Sequence, residues 1–217
     1  MTTLPDLAPD RASALALTPV SRETADRLDR FVALVLATQS HTNLIGRATI
    51  GEIWTRHIAD SLQLLDLASD AKVWLDIGAG AGFPGIVIAC ALADRPGATV
   101  HLVESQGKKA AFLRQTVADL ALPAVVHHAR IEDSSAAVAP EVVTARAVAP
   151  LAKLLGYVAP FVKSGAKALL PKGQDVEAEL TEAAKYWIMD TELAPSRTNP
   201  ASRILIVRAL RRRGAKR

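Results

Sequence analysis

A short apolar segment followed by alternating glycines is the feature of this sequence that most constrains its fold. Val73–Ile77 is an apolar run containing one carboxylate, which predicts a buried parallel strand. Gly78, Gly80 and Gly82 follow at alternate positions, where a chain leaving a strand turns sharply and leaves room for a ligand. Pro84 suits the first turn of a helix. This order is typical of the first half of a nucleotide-binding βαβ unit.

The glycine loop fits two nucleotide motifs in different registers. The first register, Gly80-x-Gly82-x-x-Gly85, fits the dinucleotide fingerprint, and Glu104 lies close to the distance at which a ribose-binding acid is expected. This register predicts an NAD(P)-dependent oxidoreductase. A pyrophosphate, however, favours the amides of a helix N-terminus with no carboxylate beside it.

The second register, Asp76-x-Gly78-x-Gly80-x-Gly82, is the first motif of S-adenosylmethionine-dependent methyltransferases. This cofactor has no phosphate and carries an ammonium and a sulfonium, so that Asp76 at the mouth of the loop would attract it. Each glycine weakens ordinary structure by about 0.5–1 kcal/mol relative to alanine, which argues against a turn without a ligand. The sequence therefore favours a methyltransferase, and an NAD(P)-dependent oxidoreductase is the alternative interpretation.

The composition predicts one α/β domain with a modest extension. The chain has 217 residues, of which 50% are hydrophobic and 4% aromatic. No apolar run approaches the roughly 20 residues of a membrane span, and the first residues show no signal-peptide pattern. Cys90 is the only cysteine and the five histidines lack a ligand spacing, so we expect no metal site. A cytoplasmic protein that does not contact a membrane is expected.

The chain divides into four predicted segments. Residues 1–18 are expected to be disordered, and residues 19–70 to form a helical cap beside the cofactor cleft. From residue 71 to 210, strands and helices alternate, which predicts a mostly parallel, seven-stranded sheet with helices on both faces. Residues 211–217 form a basic tail. The last 22 residues carry eight basic side chains and no acid, which favours an anionic macromolecule as partner or, equally, a solvated terminus.

Three helix starts are predicted from local capping signals. Ser21 caps a helix that continues to about residue 37. The capping box Thr49-Ile-Gly-Glu52 opens a second amphipathic helix. Ser105 caps a helix over residues 107–120.

Ligands of open parallel sheets bind at the carboxyl ends of the strands. Glu104 ends the second strand, where we expect it to accept the two ribose hydroxyls of the cofactor. Ile131 and Glu132 follow the third strand and would frame the adenine, one by apolar contact and one by accepting the exocyclic amine. Arg146 and Lys172 end the fourth and fifth strands.

Eight motifs between about residues 40 and 175 resemble the bacterial 16S ribosomal RNA guanine-N7 methyltransferases, the RsmG family, also called glucose-inhibited division protein B. The element His-Ile-x-Asp-Ser-Leu and the ending Gly-Phe-Pro-Gly are much more specific than a generic glycine loop. The motifs are Asn43-Leu-Ile-Gly46, Arg56-His-Ile-Ala-Asp-Ser-Leu62, Leu75-Asp-Ile-Gly-Ala-Gly-Ala-Gly-Phe-Pro-Gly-Ile86, Glu104-Ser-x-x-Lys-Lys109, Phe112-Leu-Arg114, Ala129-Arg-Ile-Glu132, Ala145-Arg-Ala147 and Lys172-Gly173.

The resemblance implies a Rossmann-like class I methyltransferase fold. It also implies that S-adenosylmethionine contacts Gly78, Phe83, Ile131, Glu132 and Arg146. The implied acceptor is N7 of a single guanine of 16S rRNA in the small ribosomal subunit, at position 527 in the standard rRNA numbering. We expect a monomer.

The sequence lacks the residues that methylation of other base atoms would require, which agrees with guanine N7 as the acceptor. N7 carries an in-plane lone pair and no proton, so that its methylation needs positioning rather than a general base. The segment Ala145-Arg-Ala-Val-Ala149 replaces the Asn/Asp-Pro-Pro-aromatic tetrapeptide of amino-group methyltransferases. Cys90 lies in a predicted core helix, which argues against cytosine-C5 chemistry. Arg146 and Lys172 are the candidate catalytic residues, expected to contact guanine acceptors or a phosphate. A non-catalytic RNA-binding module remains a third interpretation.

Overall fold

Seven strands form one sheet in the order β3-β2-β1-β4-β5-β7-β6. The computed structural model describes residues 5–134 and 138–214. The first five strands are parallel, whereas β7 is antiparallel to both β5 and β6. The predicted seven-stranded, mostly parallel sheet is therefore confirmed. The strands are β1 (Val73–Ile77), β2 (Thr99–Glu104), β3 (Ala124–His128), β4 (Val142–Ala145), β5 (Lys167–Lys172), β6 (Trp187–Pro195) and β7 (Arg203–Arg212).

Helices cover both faces of the sheet and bury two apolar cores. The cap and the helices beside it pack on one face around Trp54, Trp74 and Leu102. The other face packs against α7 and α8 around Leu75, Val143 and Leu155. The helices are α1 (Ala8–Leu17), α2 (Arg22–Gln39), α3 (Asp60–Leu62), α4 (Gly85–Leu92), α5 (Gly107–Asp119), α6 (Ile131–Ser134), α7 (Leu151–Lys163) and α8 (Val176–Ala183).

The expectation of a disordered N-terminus is wrong for residues 8–17, which form α1. Asp10 anchors this helix, since its carboxylate accepts hydrogen bonds from the backbone N–H groups of Trp54 and Thr55 at 2.8 and 3.2 Å. Ala14 is buried in the core between α1 and the cap. These partners lie more than 40 positions away, beyond the range of local sequence signals. Residues 1–4 lie outside the described residues.

The cap differs from the predicted pair of helices at its second element. Ser21 caps α2 as predicted, and its hydroxyl accepts the N–H of Thr24 at 3.1 Å. The capping box at Thr49 does not form, because Thr49 lies inside a 3₁₀ helix that follows Gly46, and its hydroxyl donates to the carbonyl of Gly46 at 2.8 Å. The chain instead forms a 3₁₀ helix over Arg47–Glu52 and a π-helix over Trp54–Ala59 before α3.

Two further boundaries differ from the sequence prediction. Ser105 does not cap α5; the residue before the helix is Gln106, whose N–H donates to the Glu104 carboxylate at 2.7 Å. Strand β7 continues to Arg212, so that the first residues of the predicted basic tail belong to the sheet. Residues 215–217 of that tail lie outside the described residues. No helix within the described ranges is long and apolar enough to cross a membrane.

Candidate cofactor and substrate site

The three alternating glycines all have positive φ angles, but only one of them has room for a Cβ atom. A Cβ atom at Gly78 would lie 2.7 Å from Cγ2 of Val148, and one at Gly82 would lie 2.5 Å from Cγ1 of Ile86. Both glycines are thus required by packing as well as by their positive φ. At Gly80 the nearest atom is the carbonyl oxygen of Gly78, at 3.7 Å. The loop therefore offers a ligand access at Gly80.

Asp76 lies beneath the loop rather than at its mouth, which corrects the position expected for it. Its side chain is only 1% exposed. One carboxylate oxygen accepts the N–H of Gly85 at 2.9 Å and the other accepts the hydroxyl of Thr144 at 2.9 Å. Burial raises the pKa of this carboxyl to about 7, against the lowering effect of those two hydrogen bonds. Asp76 therefore holds the start of α4 against β4.

Glu104 links the glycine loop to the end of the second strand. Its Oε2 atom accepts the N–H of Gly80 at 2.9 Å, while Oε1 accepts the N–H of Gln106 at 2.7 Å. The side chain is buried, but each carboxylate oxygen can accept more than one hydrogen bond. The acid therefore lies beside the open position of the loop, where the sequence prediction placed a ribose-binding group.

The segment after β3 completes this side of the site. The N–H of Ala129 donates to the carbonyl oxygen of Glu104 at 3.2 Å, which brings the third strand's end beside the second. Ile131 begins α6 and packs, partly buried, against the second apolar core. Glu132 is exposed. The structure thus brings Gly80, Glu104 and Ile131 to one edge of the sheet, as predicted.

Arg146 connects the sheet to the cap through three hydrogen bonds. Its guanidinium donates to the carbonyl of Arg56 at 3.1 Å, to Asp60 Oδ2 at 3.4 Å and to Nδ1 of His57 at 2.8 Å. Burial lowers the pKa of the guanidinium, and Asp60 opposes that shift. The next residue, Ala147, has a φ of +55°, which turns the chain so that Val148 packs beneath Gly78.

His57 is held between Arg146 and an aromatic pair. Its ring stacks on Phe83 with centroids 4.9 Å apart, and Phe83 contacts Phe31 at 5.1 Å. Burial and the charge of Arg146 lower the pKa of His57 to about 3. These contacts give His57 a structural role between the cap and the end of β4. The Phe83 ring is only 5% exposed, so the structure gives this side chain a packing position rather than an open ligand-contact surface.

Lys172 lies at the end of β5 and is paired with a carboxylate that the sequence analysis missed. Its ammonium lies 2.7 Å from Glu179 Oε2, which also accepts the N–H of Leu151 at 3.0 Å. Glu179 thereby joins β5, α7 and α8 at one point. Glu179 lies seven residues after Lys172, beyond an intervening loop, so no local sequence pattern predicted this contact.

Arg146 and Lys172 line one cleft of about 990 Å³ between the cap, the sheet and the β6–β7 loop. Asp60 ties that loop to the cap, since its Oδ1 atom accepts the hydroxyl of Thr198 at 2.9 Å. Arg197 extends the connection through an ion pair with Asp66. The cleft is thus bounded by residues far apart in sequence. Asp60 lies in the His-Ile-x-Asp-Ser-Leu motif, which is the one signal that pointed to it.

The strand order, the antiparallel β7 and the glycine loop after β1 define a Rossmann-like class I methyltransferase fold. Solved structures agree with this class. The cofactor-bound Rv0187 from MTB is 16% identical, with a TM-score of 0.60, covering 95% of this chain and 98% of that one. A mutant of MtNAS in complex with S-adenosylmethionine is 13% identical, with a TM-score of 0.55, covering 91% and 82%. At these identities the likeness concerns the fold alone.

Residues 24–202 match the family model of GidB, rRNA small subunit methyltransferase G. A protein named ribosomal RNA small subunit methyltransferase G from a Bradyrhizobium species is 57% identical, over 95% of this chain and 94% of the relative. The protein of that name from Nitrobacter hamburgensis is 56% identical, over 95% and 80%. The chain therefore belongs to the rRNA small subunit methyltransferase G family. These comparisons give no support to the oxidoreductase alternative.

Proposed function

We propose that this protein transfers a methyl group from S-adenosylmethionine to N7 of a single guanine of 16S rRNA in the small ribosomal subunit. The state of His57 is the observation that carries the choice of N7. This imidazole lines the cleft, is kept neutral, and has both nitrogens in hydrogen bonds, so that it is not available to accept a proton. A nucleophile without a proton to lose fits such a site.

The residues at the glycine loop fit S-adenosylmethionine. The cofactor supplies a methyl group made electrophilic by a sulfonium. In this proposal Glu104 accepts the ribose hydroxyls, because its carboxylate already lies at the open glycine Gly80. Ile131 and Glu132 contact the adenine from the adjoining helix. The positive φ angles of Gly78 and Gly82 hold the loop in the conformation that keeps this space open.

We assign Arg146 and Lys172 to substrate positioning. A guanidinium or ammonium donates to guanine O6 or to a phosphate, while the N7 lone pair must stay free for the methyl group. Arg146 is oriented for this by Asp60 and His57, and it lies with its Cζ atom 5.6 Å from the centroid of Phe83. Its position between the glycine loop and the cleft also fits a contact with the cofactor.

The proposal includes a monomeric, cytoplasmic enzyme that acts on RNA or on an assembled particle. Its test is incubation with methyl-tritiated S-adenosylmethionine and small subunits, or their RNA, from cells lacking this activity. Label in 7-methylguanosine at one site is expected. Label in another nucleoside would refute the N7 assignment, whereas RNA binding without methyl transfer would favour the non-catalytic interpretation.

A further inference from the structure

The cleft that receives the target guanine offers little net attraction to a polyanion. Its lining contains four carboxylates and four cationic side chains. Three of these cations are within 3.4 Å of a carboxylate of the same lining, and the fourth, Arg203, donates to backbone carbonyls at 2.6 and 2.8 Å. The carboxylates are Asp10, Glu52, Asp60 and Glu179, and the cations are Arg56, Arg146, Lys172 and Arg203.

RNA carries one negative charge per phosphate, and neutralising those charges dominates the affinity of proteins for nucleic acids. A cleft with balanced, paired charges can orient a nucleotide but supplies little of that affinity. The cations that bind the rest of the RNA must therefore lie elsewhere on the surface.

A second cavity, of about 750 Å³, has the charge that the cleft lacks. We call it the α7 groove; it runs along α7 beside the start of β6 and the end of β7. Its lining contains three cations and no carboxylate, namely Lys153, Lys163 and Arg212. Within residues 5–134 and 138–214, none of the three forms an ion pair.

The aromatic residues of the α7 groove add a second feature typical of RNA contacts. Tyr186 is 51% exposed, although large apolar side chains are normally buried. Trp187 lies beside it, fixed by a hydrogen bond from its indole N–H to the carbonyl of Ala152 at 3.0 Å. An exposed ring beside unpaired cations provides a stacking platform next to phosphate-binding groups.

A bulge in β7 directs Arg212 into this groove. The pairing shifts between Asp190 and Thr191, which pair with Ala209 and Val207, so that the backbone of Arg208 is left out of the register with β6. The extra residue reverses the alternation of side chains along the strand. Leu210 consequently joins the core beneath α7, and Arg212, two residues further, faces the same side.

The α7 groove and the cleft lie at opposite ends of β7. Arg203 lines the cleft at the start of β7, and Arg212 lines the groove at its end. At about 3.3 Å per residue, the ten residues of this strand separate the two sites by roughly 30 Å. Such a separation suits a folded RNA that extends well beyond the methylated nucleotide.

We propose that the α7 groove binds the phosphodiester backbone of the rRNA substrate at a distance from the target guanine, with Lys153, Lys163 and Arg212 as phosphate contacts and Tyr186 stacking on an unpaired base. The proposal rests on the proposed function, because it assigns the RNA of that same reaction to a second surface.

The test compares two double variants of the full-length protein. Lys163→Ala/Arg212→Ala removes two unpaired cations of the groove. Lys185→Ala/Arg208→Ala is the matched control, since it removes two exposed cations that are paired with Glu182 and Glu192. Binding of 16S rRNA is measured at increasing salt for both, together with thermal midpoints and the affinity for S-adenosylhomocysteine.

The groove variant is expected to bind RNA roughly tenfold more weakly at low salt, and the slope of log K against log salt is expected to fall by about 1.4, the single-strand value for two phosphate contacts. Its affinity for S-adenosylhomocysteine should stay unchanged. Tyr186→Ala is expected to weaken RNA binding without changing the salt slope.

Equal salt slopes for the groove variant and the control would overturn the proposal, as would tighter binding of anionic lipid vesicles than of RNA. Failure of the proposed function shows itself separately, as wild-type protein that does not methylate guanine N7. A groove variant that has lost RNA affinity, with wild-type methylation of N7 at saturating RNA, is the result that supports both.

Discussion

The Nη2 atom of Arg146 lies 2.8 Å from Nδ1 of His57, and this contact fixes the tautomer of the imidazole. A guanidinium only donates hydrogen bonds, so Nδ1 is the acceptor and the ring proton resides on Nε2. Nε2 then donates to the hydroxyl of Thr49 at 3.0 Å, and that hydroxyl donates to the carbonyl of Gly46. One directed chain of hydrogen bonds thus connects the end of β4 with the cap.

The neutral state of His57 predicts a pH dependence of folding. Its pKa is about 3 in the folded protein, well below the usual 6.5, so the unfolded chain binds more protons in between. This residue's contribution to folding is therefore complete above pH 6.5 and decreases as the pH falls towards 3. Between pH 7 and pH 5 the wild-type protein should lose about 1–2 kcal/mol more unfolding free energy than His57→Gln. Urea titrations at the two pH values measure this difference.

His41→Gln is the control for that experiment, because His41 is an exposed histidine of the same cap. Its pH dependence should match that of the wild type. If His57→Gln also matched the wild type, the imidazole would not be held neutral by the fold.

Asp76 predicts a pH dependence of the opposite sign. Burial raises the pKa of this carboxyl to about 7, above its ordinary value of 3.8, so the folded state binds more protons between these values. Its contribution is complete below about pH 4 and is lost as the pH rises through 7. Relative to Asp76→Asn, the wild-type protein should therefore lose unfolding free energy as the pH rises from 5 to 8. Asp76→Ala should instead cost about 2–4 kcal/mol, because it leaves two buried donors, on Gly85 and Thr144, without an acceptor.

Urea unfolding of the three proteins checks this prediction. Identical pH profiles for the wild type and Asp76→Asn would mean that the carboxylate is ionised throughout this range. Equal stability of the alanine and asparagine variants would contradict the proposed role beneath the loop.

A substitution at Gly80 should reduce the affinity for the cofactor much more than it reduces the stability of the fold. Gly80→Ala adds a Cβ atom that clashes with nothing, since its nearest neighbour is the carbonyl oxygen of Gly78 at 3.7 Å, so its folding cost is limited to the left-handed backbone, roughly 1 kcal/mol. The same methyl group enters the space proposed for the cofactor, and the affinity for S-adenosylhomocysteine should fall at least tenfold, or about 1.4 kcal/mol. Calorimetric titration measures the affinity, and thermal unfolding measures the cost.

Gly97→Ala is the matched control, since Gly97 has a φ of +77° and its nearest neighbour for a Cβ is Lys72 at 3.9 Å. It should lose similar stability and no affinity. A Gly80→Ala protein with wild-type affinity would place the cofactor elsewhere.

The strands were predictable because the buried parallel sheet leaves near-continuous apolar runs, as in Val73–Ile77. The position of Glu104 was also predictable, since it follows from the end of one strand. The burial of Asp76 was not, because its depth depends on Thr144 and Gly85, which belong to other elements. The capping box at Thr49 also failed because of contacts that the local sequence does not show, since its hydroxyl bonds to Gly46 and His57. Local signals predict local structure, and the contacts between elements decide the rest.

The pair formed by Lys172 and Glu179 allows the proposed positioning role to be separated from a structural one. Glu179 also holds the N–H of Leu151 at the start of α7, so its loss disturbs the fold as well as the charge. Lys172→Met removes only the ammonium and keeps that hydrogen bond. If Lys172 positions the substrate, Lys172→Met should lower the methylation rate roughly tenfold or more, with the affinity for S-adenosylhomocysteine unchanged. A methylation rate equal to that of the wild type would show that Lys172 serves only the ion pair with Glu179. Lys185→Met is the control, because it breaks the exposed ion pair with Glu182 and should leave the methylation rate unchanged.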